Sequence, residues 1–373
     1  MKRSKIEVPF VVLVIILGTL GAGCISGHTA SSSTTQSVSH PTSTVVSSRT
    51  ASSTIQFVVV KDCMNRTVRI REPVKRVISL YGLAPQFLYL LGAGKQFYGG
   101  WMWGTKFYRL IDPNVTKKAG MRDMSVEEIE KINPNFVIAA YWQADESKVK
   151  QLESLGIPVI MVKIESPSDV YQTVETLGKA LRRDKVASKV IAYYKNASNY
   201  IEKRLRRVKS RPKVLVLYYS GRAKAFRTFG GDMFQSRLIE MAGGISVSAN
   251  LTGKKTIDVE QVVKWNPDVI ILIGYSVSGE QARRMILNDP AWRAVPAVKE
   301  GRLYVVPNDG DNWIDPSPKW VLGLYWLAKL LHPSLFKGLN VELKAAQFYE
   351  DFFNLSLSKV GLTGDVNATL AQR

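Results

Sequence analysis

Eighteen residues with one alternation of apolar and polar positions occur twice in the chain, as Ser125–Trp142 (SVEEIEKINPNFVIAAYW) and Asp258–Tyr275 (DVEQVVKWNPDVIILIGY). Laid together without a gap, the copies share Val, Glu, Lys, Asn, Pro and Ile at six positions. Each opens on a helix-capping residue, Ser125 or Asp258, with Glu128 or Gln261 three positions on, the capping-box spacing. Apolar residues then recur at helical spacing until Asn133-Pro134 and Asn266-Pro267, where proline stops a helix. The unbroken apolar runs FVIAA and VIILI that follow predict strands buried on both faces, as in parallel sheets. Tyr141-Trp142 and Gly274-Tyr275 then fall at the carboxyl edge of those strands, where open α/β sheets bind ligands. Two such units, about 130 residues apart, predict two similar lobes facing one cleft.

The same pattern orders the remainder. VKRVISL (Val74–Leu80) predicts a strand, Ala84–Leu91 a helix closed by Gly92, and Phe97–Gly100 a second strand leading into Trp101-Met102-Trp103. After the first repeat, Ile157–Val162 predicts another strand. Alternation of this kind implies a parallel sheet covered by helices, here an N-terminal lobe over 55–167. From Ser168 to about 210 the pattern is helical; its later part, DKVASKVIAYYKNASNYIEKRLRRVK, is one long helix ending in basic residues, as suits a helix C-terminus. Arg211-Pro212 ends it, and Lys213–Tyr218 opens a second α/β series over 211–353, with 354–373 as a tail. The expected architecture is two Rossmann-like α/β lobes joined by a single long helix, with a ligand cleft between them.

The start of the chain has another pattern. Lys2, Arg3 and Lys5 precede an apolar run from Val8 to Leu20 and then Gly21-Ala22-Gly23-Cys24. That is a positive region, an apolar region short for a membrane span, and a small-residue cleavage site. Residues 1–23 resemble a lipoprotein signal, with Cys24 as the lipidated first residue; an uncleaved anchor helix is the alternative. Both readings place the rest outside the membrane and tether it there. Residues 25–54 are mostly Ser, Thr, Val and Ala, a flexible stalk by composition.

Composition narrows the chemistry. Six Asn-X-Ser/Thr triplets (Asn65, Asn114, Asn196, Asn250, Asn354, Asn367) fit an extracytoplasmic chain. Beyond Cys24 only Cys63 remains, so no internal disulfide is expected. The net charge is +20, and about +18 without residues 1–23. For an exported chain this points to anionic headgroups or an anionic ligand rather than nucleic acid. Of three histidines only His332 lies beyond the stalk region, too few for a bare Zn²⁺ or Mn²⁺ site or for histidine-ligated haem; haem held through a tyrosine such as Tyr81 stays open. A serine hydrolase would have only His332 as its base, and neither a P-loop nor a GxGxxG after a strand occurs. The acidic loop Asp309–Asp315 offers paired carboxylates for a glycosidase-like site or, more simply, an Asx-rich turn before a helix.

In this order, Leu90-Leu91-Gly92-Ala93, the two VE…NP units, Phe229–Gln235 leading into Leu238–Gly244, Pro290-Ala291-Trp292, Val298–Pro307 and the Pro318–Pro333 helix resemble one family across residues 68–353. It is that of the substrate-binding proteins of ABC importers for iron–siderophore complexes, haem or cobalamin. The resemblance implies a non-enzymatic monomeric receptor that hands a ferric chelate to a permease and its ATPase, with no cofactor of its own and iron only within the cargo. The expected cleft residues are Tyr81, Trp101, Trp103, Tyr141, Trp142, Tyr218, Arg222, Arg227, Tyr275 and Trp313: flat aromatic walls with guanidinium groups for an anionic chelate. Haem, cobalamin or an oxyanion is the alternative cargo, and a surface adhesin on the same scaffold a further alternative. Two positions depart from the family, which carries one exposed glutamate per lobe for the permease. They fall on Gln86 and Arg237, both expected on helix surfaces.

Overall fold

The computed structural model of the protein describes residues 56–370; the expected signal segment, Cys24 and the whole of the stalk lie outside the described residues. A hairpin of β1 (Phe57–Lys61) and β2 (Thr67–Arg71) comes first, alternating exposed and buried residues, the period of a sheet with one wet face. Next come β3 (Val77–Ser79), α1 (Pro85–Leu90), β4 (Phe97–Gly100), α2 (Thr105–Tyr108), α3 (Val115–Ala119), α4 (Val126–Ile132), β5 (Phe136–Ala140), α5 (Ser147–Ser154) and β6 (Val159–Val162). Their strands form a parallel sheet in the order β4-β3-β5-β6. Then α6 (Pro167–Ala180) and α7 (Asp184–Leu205) lead to the second lobe.

That lobe holds β7 (Lys213–Ser220), β8 (Ala225–Phe229), α8 (Phe234–Met241), β9 (Ile245–Ser246), β10 (Lys254–Thr256), α9 (Val259–Trp265), β11 (Val269–Ile273), α10 (Gly279–Asn288), α11 (Pro296–Lys299) and β12 (Leu303–Val305). The chain closes with α12 (Trp320–Leu331), α13 (Val341–Phe353) and α14 (Leu357–Val360). The second sheet runs β10-β8-β7-β11-β12, with β9 also on β7. Its β7, β9, β11 and β12 are parallel, but β8 runs antiparallel to both of its neighbours, β7 and β10. The lobe is therefore mixed rather than purely parallel, because β7 turns back through Gly221–Lys224 instead of entering a helix.

Both repeats fold as helix then strand. Ser125 and Glu128 make both hydrogen bonds of a capping box, and Asp258 accepts from the Gln261 amide. Asn133 (φ 49°) and Asn266 (φ 46°) close the helices in the left-handed region, which asparagine tolerates better than most residues. The residue after each proline then repeats a function. Asn135 accepts from the amides of Lys75 and Arg76, and Asp268 from that of Lys213, so each pins the start of the neighbouring strand.

Strand side chains alternate between two cores. Val77, Phe136, Ile138, Val214 and Ile271 share one large cluster, whereas Ile78 and Val137, and Leu215 and Ile270, enter a separate cluster on the far face of each sheet. The large cluster runs through α7, whose buried residues Ala187, Val190, Tyr194, Ala197 and Ile201 follow the three-four spacing of one helical stripe. At 22 residues α7 is about 33 Å long. The two α/β lobes are thus bridged by one long helix as expected. Among the described residues no helix is long and apolar enough to cross a membrane; the most apolar, α12, lies buried between α7, α8 and α13.

Candidate functional site

The carboxyl ends of the two sheets meet. The Trp101–Gly104 segment follows β4 and the Asn308–Asp315 loop follows β12; a Cβ on Gly104 would strike the Asp311 carboxylate. Gly104, at φ +71°, is therefore what lets the two loops close on each other. Gln86 of α1 ties the same junction, donating to the Trp103 carbonyl and to Asp311 Oδ1 at 3.2 and 3.3 Å.

On the first lobe's side, Tyr81 meets Trp142 edge to face at 5.0 Å, and Trp142 meets Tyr141 in the same way at 5.2 Å. Trp142 is 51% exposed, whereas Tyr81 is buried, its hydroxyl pKa raised foremost by that burial. Tyr141 donates to Glu165 and has the Lys163 ammonium 5.2 Å from its ring. Trp101 and the half-exposed Trp103 form a second edge-to-face pair at 5.1 Å. Gly82 leaves room for that pair, since any Cβ there would lie 3.0 Å from the Trp101 indole.

On the second lobe's side, Tyr218 packs edge to face on Tyr275 at 5.2 Å. The Tyr275 ring is 44% exposed while its hydroxyl turns inward and donates to Asp315. Asp315 also accepts from Gln235 at 2.9 Å and Asn312 at 3.0 Å; burial raises its pKa against those three donors. The Lys254 ammonium lies 5.7–5.8 Å from the rings of Tyr218, Phe229 and Tyr275, and desolvation lowers its pKa. Arg227 donates to the Lys254 carbonyl at 2.7 Å, and among the described residues its enclosed Nε has no hydrogen-bond partner. Two cations, aromatic faces and a carboxylate are thus gathered in one wall.

The structure brings together Tyr81, Tyr141 and Trp142, then Trp101 with Trp103, then Tyr218, Tyr275 and Arg227. Trp313 and Gln86 stand elsewhere than expected. Trp313 is fully buried, its indole donating to the Tyr349 hydroxyl at 3.1 Å, so it belongs to the core and not to a cleft wall. Arg222 sits in the exposed turn between β7 and β8. Gln86 is 1% exposed, which corrects the expectation of a helix-surface docking position: the second residue of α1 faces the other lobe's loop. Arg237 is exposed on α8. Lys254 was missed, because the wholly exposed three-residue strand around it carries no periodic signal.

The acidic loop is not an open pair of carboxylates. Asp309 and Asp311 both accept from the fully buried Lys319 ammonium, at 2.7 and 2.8 Å, and Tyr349 donates to Asp309 at 2.7 Å. Lys319 also stands 4.1 Å over the Phe107 ring of the first lobe. With both acids on one ammonium, neither is disposed as acid or base about a substrate. Among the described residues no group of three or more His, Cys, Asp or Glu is placed to hold a metal ion.

The profile of the family described as periplasmic binding protein matches residues 77–309. The chain is 26% identical over 283 residues to the uncharacterized ABC transporter substrate-binding lipoprotein YvrC of Bacillus subtilis, spanning 75% of this chain and 87% of that one. It is 21% identical over 327 residues to the molybdate-binding protein MolA of Haemophilus influenzae, spanning 80% and 91%. The fold is similar to that of a periplasmic solute binding protein from Veillonella parvula, with a TM-score of 0.71 at 23% identity over 81% of this chain and 94% of that one.

Proposed function

The chain belongs to the periplasmic binding protein family, and on that premise we propose that it is the extracytoplasmic solute receptor of an ABC importer, carrying an anionic ferric chelate to the permease. The observation that carries this reading is the presence of exposed aromatic faces at the carboxyl edges of both sheets, Trp103 and Trp142 in the first lobe and Tyr275 in the second, together with the cations Arg227 and Lys254. A bulky, partly planar ligand stacks on such faces, and its negative charge is met by cations whose own hydration is already reduced. Iron would arrive inside the cargo, so the receptor itself does no chemistry. The relation to MolA supports an oxyanion as the second reading, for which Arg227 and Lys254 would be the contacts and the aromatic walls a desolvating frame. The name of YvrC supports a lipid tether at Cys24; Cys24→Ser should then leave the precursor uncleaved or release the protein from the membrane.

The test is a fluorescence titration of the purified protein with a ferric catecholate, haem, cobalamin and molybdate in turn. A ferric chelate bound beside Trp101, Trp103 or Trp142 should quench tryptophan emission saturably. Replacing Arg227 and Lys254 by Gln should weaken it by about 1.5–3 kcal/mol for each charged hydrogen bond lost. Saturable binding of molybdate alone would move the assignment to the second reading. Binding of none of the four would sink the ligand class.

A further inference from the structure

We infer that the second lobe carries an anion-binding pocket of the phosphate class at the edge of its sheet opposite the cleft. The cleft lies where strands end; this cavity, about 690 Å³, lies where they begin, beside Pro212 before β7, Asp268 before β11 and Arg302 before β12. Arg207, Lys209 and Arg211, just past the end of α7, complete the wall. Four cations therefore face one lining carboxylate, Asp268, which already accepts from the Lys213 amide.

Among the described residues neither Arg207 nor Lys209 has an ion pair, and Arg211 donates to the carbonyls of Gly243 and Glu240. Arg302 is the informative member. It is 7% exposed and pairs through one terminal nitrogen with Glu300 at 2.7 Å, yet among the described residues its enclosed Nε has no hydrogen-bond partner. A buried guanidinium N–H left without an acceptor beside a cavity lined by three further cations is the arrangement that an oxyanion completes. His332 adds no charge there: desolvation lowers its pKa while its Nε2 lies 3.1 Å from the Gly243 carbonyl. The volume exceeds that of a bare phosphate ion, so a phosphate carried on a larger group fits the shape. That group is either a soluble phosphate compound or a lipid headgroup.

The experiment uses the full chain at low salt. Inorganic pyrophosphate is titrated by calorimetry, and vesicles of phosphatidylglycerol or of phosphatidylcholine are tested by co-sedimentation. The test variant is Arg207→Glu with Arg211→Glu, both exposed; the control is Arg284→Glu with Arg293→Glu, equally exposed and of equal charge change. Pyrophosphate binding weakened roughly ten-fold or more in the test variant and unchanged in the control supports a site for soluble phosphate compounds. Binding to phosphatidylglycerol vesicles alone, lost in the same variant, supports the headgroup. Absence of both, or equal loss in test and control, overturns the inference, since net charge would then be the whole effect. Quenching at the cleft should be the same in every variant, which separates this outcome from failure of the receptor assignment.

Discussion

Lys319 shows what one buried charge demands of its neighbours. Its ammonium is held by Asp309 and Asp311, with Tyr349 and Gln86 bonded to the outer sides of the two acids. Breaking such a group from one side leaves a buried charge uncompensated, so Lys319→Met should cost about 3–5 kcal/mol in urea unfolding at neutral pH. One cation cannot balance two acids. Burial, foremost, and the charge of Asp309 push the Asp311 pKa from 3.8 up to about 6 despite Lys319. An acid whose folded pKa is raised adds stability that is fully present below its unfolded value and is lost as pH rises through the folded one. Between pH 7 and pH 4 the wild type should therefore gain on Asp311→Asn by about 1–3 kcal/mol. A constant difference across that range would refute the assignment. Little of this was legible in the residues. The loop reads as an Asx-rich turn and does contain one, Asp311 N–H on Asp309 at 3.1 Å. Its partner Gln86, however, lies 225 positions away, and a helix residue of that spacing reads as surface until the opposing lobe is in place.

At the scale of elements the sequence was a better guide, because periodicity reports local geometry directly. Both repeats form the helix and strand expected, and their strands lie fully buried in their sheets. The reversed strand β8, antiparallel to β7 and β10, was not expected, since the turn Gly221–Lys224 reads equally as the loop before a helix. The helix stop resides in asparagine as much as in proline: Asn133 and Asn266 hold the left-handed conformation with no steric relief beyond their short side chains. Asn266→Gly should be tolerated, whereas Asn266→Val should lower stability by about 1–2 kcal/mol, the cost of a side chain in that region. Equal melting temperatures for the two variants would mean that proline alone ends the helix. The same pair of substitutions at Asn133 should rank alike, because the strand-pinning residue that follows, Asn135 or Asp268, accepts from a backbone amide through its side-chain oxygen in both repeats.

For the whole molecule the decisive feature is that the lobes share a core. One cluster contains Phe87 and Phe136 of the first lobe, Val190 and Tyr194 of α7, and Val214 and Ile271 of the second. The last long helix crosses the junction as well: Tyr349 and Phe353 of α13 pack on Phe107 of α2 at 5.5 and 5.0 Å. Beside them stand the Lys319 group and the Tyr194 hydroxyl, which donates to the Pro318 carbonyl at 2.6 Å. Lobes joined only by a flexible connection would unfold separately, each with its own core. A junction that buries aromatics and fixed charges ties their stabilities together, and also restricts opening about the cleft to small displacements. Heating should therefore produce one calorimetric transition whose van't Hoff and calorimetric enthalpies agree. Phe107→Ala, which empties the junction without touching either sheet, should lower that transition by about 3–5 kcal/mol. A saturating cargo should raise it in proportion to the logarithm of its concentration. Two resolved transitions in the wild type would contradict the shared core. Two that appear only in Phe107→Ala would identify the aromatic junction as what makes the lobes fold as one.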